Sequence, residues 1–563
     1  MRKLIALMLI IVTLPVLAVC SGCSYTKSKT DPAALNIYLA SEPSSLDPAL
    51  TITNDGMIML ANSFEGLMTY DTDGSVIPGC AESYTVSDDG LVYTFTLRDN
   101  LKWSNGAPLD ANDFVYSWTR AADIDTAADY SYLYEILANG RYDSNGYFIG
   151  LGDGAVVAGD DGKTLTVTLN APCPYFIDLC AFSGFFPVYE PVVTANNPDG
   201  ITPGGWAVDA NENYVSNGAY KLQSWDHDSR VTYVANENWR NADKVSVTTL
   251  NYMLTTDQTA AYAAYTAGDL DFMHNIPADD LSIMINDKDP ELHIIPQLAT
   301  YYVSLNYNSK LYDKLGLDEE QAKVFRHALC LLIDRKFIVE SITQSGQMPA
   351  NSIIPAGASN GTFKTTDYFP VDDYEANVAE AIELLKSIGF RFDDNNKLID
   401  NISFDFTCSG NNLLVESIQS DFASIGINMT IDQLEWNVFI ESKRKGDFDL
   451  AYNAWGMDYD DPINMLELWA TNSGNNDAKF GRDPGKNLDW TVYDRLIEEI
   501  RSCTDEKARN EMMHQAEDML MDTWCLIPVY YSARPYAMKE YVDGVFCNAL
   551  STVFFYYATI NAE

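Results

Sequence analysis

Cysteine and histidine are the residues from which metal binding or nucleophilic catalysis is most often built, and their spacing here supports neither. The chain has 10 cysteines and 5 histidines. His227, His274, His293, His327 and His514 contain no pair four residues apart, the spacing that sets two imidazoles on one helical face for zinc. His327 falls in an amphipathic stretch and reads as a packing residue. No Walker-type phosphate loop is present, and no nucleophile elbow is read from the sequence. Carboxylates are so numerous that any glycosidase pair chosen by eye would be noise. The expectation is a protein that is not an enzyme and uses no metal or organic cofactor. The rival is a secreted peptide or glycan hydrolase, which would need two facing carboxylates or a nucleophile with its base.

One cysteine has suggestive surroundings. Arg2 and Lys3 precede a largely apolar run from Leu4 to Val19, ending at Cys20-Ser21-Gly22-Cys23. A basic start, an apolar stretch and small residues before a cut form an export signal. A cysteine after Ser21 and Gly22 makes it a lipoprotein signal, whose peptidase cleaves before the cysteine that carries the lipid. Cys23 is the expected acceptor, because Cys20 would put bulky Val19 at the cut. The other readings are a plain secretory signal or a spanning helix, for which the run is short. Residues 1–22 are expected to be the signal and 23–34 a polar tether. Cys173 and Cys180 are near enough in sequence to pair, but spacing does not fix connectivity.

A chain of 563 residues exceeds what one core fills, so two or three domains are expected. The formal net charge of -44 excludes nucleic acid as a partner, since phosphate binding needs a basic surface. The charge does not signal disorder: aromatic residues make up 12% of the chain, and disordered acidic chains are poor in them. It describes a well-hydrated surface.

The elements follow from periodicity. Leu91–Arg98 alternates bulky and polar positions as a strand does, and Asp110–Thr119 reads as a helix with acidic Asp113 in its first turn. Residues 65–171 are expected to be mostly strand and turn. From Thr259 the pattern changes to alternating helix and strand. In Glu320–Ile333, Ala322, Phe325, Ala328, Leu329 and Leu332 share one helical face. Phe404–Thr407, the helix Asn412–Ile425 and Met429–Gln433 form a βαβ unit. Tyr301–Asn306 and Leu526–Tyr531 read as strands.

Several stretches then converge in order and spacing: Glu42-Pro43-Ser44-Ser45-Leu46-Asp47-Pro48, Phe64-Glu65-Gly66-Leu67, Trp103-Ser104-Asn105-Gly106, Asn217-Gly218-Ala219-Tyr220, Ile333-Asp334-Arg335 and Trp455-Gly456-Met457-Asp458-Tyr459. Over roughly residues 35 to 540 the chain resembles the extracellular solute-binding proteins of peptide ABC importers, the oligopeptide- and dipeptide-binding group. The resemblance implies an α/β, type II periplasmic-binding-protein-like two-lobed fold with an additional β-rich domain. Its segments would be 35–65, 196–296 and 517–563 for the first lobe, 66–195 for the β-rich domain and 297–516 for the second lobe.

The resemblance also implies site residues. Asp458 would receive a peptide's α-ammonium; Trp455 and Trp436 would wall side-chain pockets; Lys443 would stand near a ligand carboxylate. Tyr452 replaces a relative's arginine six residues before the ammonium-binding aspartate, so a peptide terminus would be held differently here. The implied partners are a peptide ligand, a permease with its cytoplasmic ATPases, and the membrane through the lipid, with the protein itself a monomer. A peptide-signal receptor or a binder of a non-peptide solute remains the alternative within the family.

Overall fold

The computed structural model describes residues 33–39, 42–144, 146–196, 204–209, 214–410, 412–482 and 488–561. Cys20, Cys23 and the signal and tether up to residue 32 lie outside them. The eight cysteines within them are free thiols, so Cys173 and Cys180 are not bridged. Among the described residues, no helix is long and apolar enough to cross a membrane.

An eleven-stranded mixed sheet runs through the molecule. At one end Ala34–Tyr38 lies parallel to both Thr249–Met253 and Phe272–His274. At the other, Ser403–Ser409 lies parallel to Asn428–Leu434 and Leu450–Gly456. Two long antiparallel strands, Leu292–Leu305 and Leu526–Met538, join the halves. Their register breaks between Pro296 and Thr300: Leu292–Pro296 pairs with Ala533–Ala537, and Thr300–Ser304 pairs with Leu526–Tyr531. Only the second half of the first strand and the first half of the other had the continuous apolar look of buried strands. Pro296, Arg534 and Pro535 interrupted the pattern where the ribbon leaves one half for the other.

The remaining β-rich body is a four-stranded antiparallel sheet of Ala81–Val86, Val92–Leu97, Thr164–Thr168 and Val156–Ala158. The helix Ala111–Ala122 buries Phe114, Trp118 and Ala121, and its start is fixed by a capping box of Asp110 and Asp113. The helix Glu319–Leu331 is likewise boxed by Asp318 and Gln321, and all five residues expected on its inner face, including Leu332 at its C-cap, are buried. The division expected at 516/517 falls inside the helix Glu506–Met521 and would cut one continuous hydrogen-bonded element.

Most of the motif residues join segments distant in sequence. Asp47 is fully buried and takes both guanidinium nitrogens of Arg120, at 3.0 and 2.6 Å, and the Trp206 indole N–H at 2.9 Å. Glu65 binds Arg240 in the same forked manner at 2.8 and 2.7 Å, while Asn217 pairs with the Glu65 backbone. Gly218 is glycine for want of space: a Cβ there would stand 2.6 Å from the Phe64 nitrogen. Arg335 is buried and donates to the carbonyls of Pro528, Cys330 and Ile333. Buried charge of this kind is held by matched geometry, and each joint fixes how one body meets the next.

Candidate ligand-binding cleft

The strand Leu450–Gly456 is held on both sides, by Ala299–Leu305 and by Ser403–Ser409. It delivers Trp455 to the point where the long strand loses register, opposite Thr300. The chain then turns, tied by the Met457 N–H donating to the Leu298 carbonyl at 2.7 Å. Asp458 follows on this turn. Asn464, in the short helix Ile463–Leu466, fixes both residues: its Oδ1 accepts the Trp455 indole N–H and the Asp458 backbone N–H, each at 3.0 Å. Its Nδ2 donates to Asp458 Oδ2 at 3.4 Å.

Asp458 stands where two cavities meet. One, of about 810 Å³, is lined by Tyr132, Leu133, Trp455, Glu467 and Arg501 among others. The other, of about 190 Å³, is lined by Tyr130, Phe182, Met457 and Phe554. Burial pushes the Asp458 carboxyl above the usual carboxylate range, the Asn464 hydrogen bond opposes this, and the charge of Glu467 adds to it. Glu467 is itself occupied, by Arg501 at 2.8 Å and the Tyr459 hydroxyl at 2.8 Å. No Lys, Arg or His among the described residues pairs with Asp458. A half-buried carboxylate beside an indole, opening on empty volume and lacking a cation, is suited to accept a positively charged group.

Trp455 and Asp458 are thus brought together. Trp436 is not: it opens the helix Trp436–Lys445 with 60% of its surface exposed and, among the described residues, only Phe439 as an aromatic neighbour. Lys443 is engaged elsewhere. Its ammonium pairs with Asp477 at 2.9 Å, bonds the Asn453 side chain and lies 5.0 Å over the Phe439 ring. Its side chain is only 14% exposed. Tyr452 packs with Tyr301 and Tyr530, its hydroxyl 3.3 Å from that of Tyr530.

Sequence reasoning missed Asn464, Tyr130 and Tyr132. The tyrosines lie in an irregular stretch around a short 3₁₀ helix, where periodicity is silent. One Gly-x-Ser-x-Gly run does exist, Gly357-Ala358-Ser359-Asn360-Gly361, but it forms a series of turns rather than the strand–turn–helix of a nucleophile elbow. Among the described residues no group of three or more His, Cys, Asp or Glu side chains is placed to hold a metal.

The chain matches the profile of bacterial extracellular solute-binding proteins, family 5 Middle, over residues 75–477. It is 30% identical over 540 residues to the oligopeptide-binding protein OppA of Bacillus subtilis, covering 95% of this chain and 93% of that one. It is 30% identical over 514 residues to the periplasmic oligopeptide-binding protein OppA of Salmonella typhimurium, covering 90% and 88%. The unliganded open form of the periplasmic murein tripeptide-binding protein MppA superposes with a TM-score of 0.77 at 25% identity, covering 94% of this chain and 98% of that one. MppA is described for Escherichia coli, and a second structure of the E. coli protein gives 0.69. The two-lobed α/β architecture is therefore that of a periplasmic-binding-protein fold, and its function is solute binding rather than catalysis. This chain belongs to the bacterial extracellular solute-binding proteins of family 5.

Proposed function

We propose that the protein is the extracytoplasmic substrate-binding component of an ABC importer, capturing oligopeptides between its lobes and presenting them to a membrane permease served by cytoplasmic ATPases. The observation that carries this reading is the Asp458 carboxylate, half-buried, without a cation and open to two cavities. An α-ammonium leaving water needs such a fixed anion. Trp455 supplies rigid apolar surface beside it, and Trp436 would reach the ligand only on closure. Lys443 has no part in this reading. The peptide backbone would pair with strand edges, which gives affinity independent of side-chain identity.

The lobes would divide at the register break of the long ribbon, near 297–299 and 532, with the β-rich domain at 66–195. Closure is then a shift of population toward the form in which ligand contacts both lobes. Lipid on Cys23 would keep a monomeric binder at the membrane.

The test is mass spectrometry of small molecules released by acid from the protein purified without refolding. Intact peptides, together with calorimetric binding of the same synthetic peptides, support the reading. Recovery of only non-peptide solutes, or cleavage of added peptides by the pure protein, overturns it.

A further inference from the structure

The two cavities that meet at Asp458 differ in size and in the chemistry of their walls. The larger, of about 810 Å³, carries Glu135, Glu467, Asp494, Arg495, Glu498 and Arg501. The smaller, of about 190 Å³, is walled by Met57 and Ala61 of the helix Asn54–Ser63, by Tyr70, Phe182 and Phe186, and by Phe554. Among the described residues, Asp458 is the only charged one on this second wall. Its rings are packed against one another: Tyr130 stands edge-on to Phe182 at 5.1 Å, and Tyr70 is tilted against Phe554 at 5.9 Å. Met57, Tyr70, Tyr130 and Phe182 are only partly buried, which leaves apolar surface for a ligand to cover.

The branching at a peptide's first α-carbon matches this fork. With the α-ammonium held at Asp458, that carbon has two heavy substituents left, its side chain and the carbonyl that continues the chain. The continuing chain needs the larger cavity, since each further residue advances about 3.3–3.6 Å and brings its own side chain. The smaller cavity is left for the first side chain. Its size suits a ring, for an apolar cavity of about 150 Å³ takes up benzene. A polar side chain there would lose its hydration against apolar walls, with the Asp458 carboxylate already engaged.

We propose that the smaller cavity is a selective pocket for the first side chain of the bound peptide, so that the preferred ligand begins with a large apolar residue, aromatic ones above all. This rests on the peptide reading above. The first ring would lie among Tyr70, Tyr130, Phe182 and Phe554, where edge-on and offset contacts add to the area buried. Met57 and Met457 would fit their flexible thioethers to its outline. Later residues, facing the mixed charges of the larger cavity, would be chosen less strictly.

The experiment is calorimetric titration of the purified protein with tetra-alanine and with the same peptide carrying Leu or Phe at its first position. The Phe-first peptide is expected to bind at least about tenfold more tightly than tetra-alanine, from the apolar area it buries, with the Leu-first peptide between them. Ala61→Phe, which fills the pocket, should bring the Phe-to-Ala ratio down towards one. Phe182→Ala, which removes a wall, should lower it as well. A ratio near one in the native protein, or a ratio that both variants preserve, overturns the pocket while leaving the peptide reading intact. If none of the peptides binds, the peptide reading falls and the pocket with it.

Discussion

Asn464 and Asp458 are bound to each other twice, backbone N–H to side-chain oxygen at 3.0 Å and side-chain nitrogen to carboxylate at 3.4 Å. The amide therefore fixes the carboxylate's direction without neutralising it. Asp458→Asn keeps the shape and removes the charge. Peptide affinity is expected to fall roughly a hundredfold, in line with losing one partner of a desolvated charge pair. The thermal midpoint of the unliganded protein should not fall. Calorimetry and thermal denaturation check both halves; an unchanged affinity would discard the assignment.

In the proposed function, the raised pKa of Asp458 gives binding a pH dependence. The ligand ammonium favours the ionised carboxylate, so binding lowers this pKa and releases protons as pH approaches the free protein's value from above. For an alanine-only peptide, affinity should weaken on acidification at a pH above that of an ordinary aspartate. Titrations in two buffers of different ionisation enthalpy measure the released proton, which should vanish in Asp458→Asn.

Stability should move the other way. Glu517, buried against Ser352, has its carboxyl pushed up by burial to about 7. A carboxyl raised in the folded state binds more protons folded than unfolded between the ordinary value and the raised one. Folding thus strengthens as pH falls from 7 towards 4.5, and loses that contribution above 7. Glu517→Gln should stabilise the unliganded protein at pH 8 by on the order of 1–3 kcal/mol and flatten this part of the profile. Thermal denaturation from pH 5 to 8 reads both effects.

Asp461 and Arg509 form a forked pair at 2.7 and 2.9 Å, with side chains only 11% and 7% exposed. Asp461→Ala would leave the guanidinium buried and unpaired, a loss of about 3–5 kcal/mol. Arg509→Ala should cost a similar amount, and the double replacement less than the sum. Denaturant titration of the three variants gives the coupling directly.

The fold was legible wherever one face of an element meets the core. Helix Glu319–Leu331 and the βαβ unit ending at Asn428–Leu434 follow from apolar spacing alone. The long ribbon was only half visible, because its crossing between the halves exposes the strands and admits Pro296, Arg534 and Pro535. Of the site, Asp458 and Trp455 came from a recognisable run. Asn464 could not, since nothing local distinguishes an amide that orients a ligand group from one that caps a turn. Lys443 and Trp436 sit at matching positions, but Asp477 claims the first and the second stands clear of the cavities, which only three-dimensional packing reveals. Most of the other recognisable runs turned out to be joints, with Asp47, Glu65 and Arg335 as their buried charges.

Because the same two strands serve both halves of the large sheet, opening cannot proceed by separating them, as their backbone hydrogen bonds continue on either side of the break at 297–299. The travel available to the jaws is set by how far a two-stranded ribbon can flex and twist, not by the length of a slack tether. In the proposed importer role, such a device would return to the same mouth after each cargo is released.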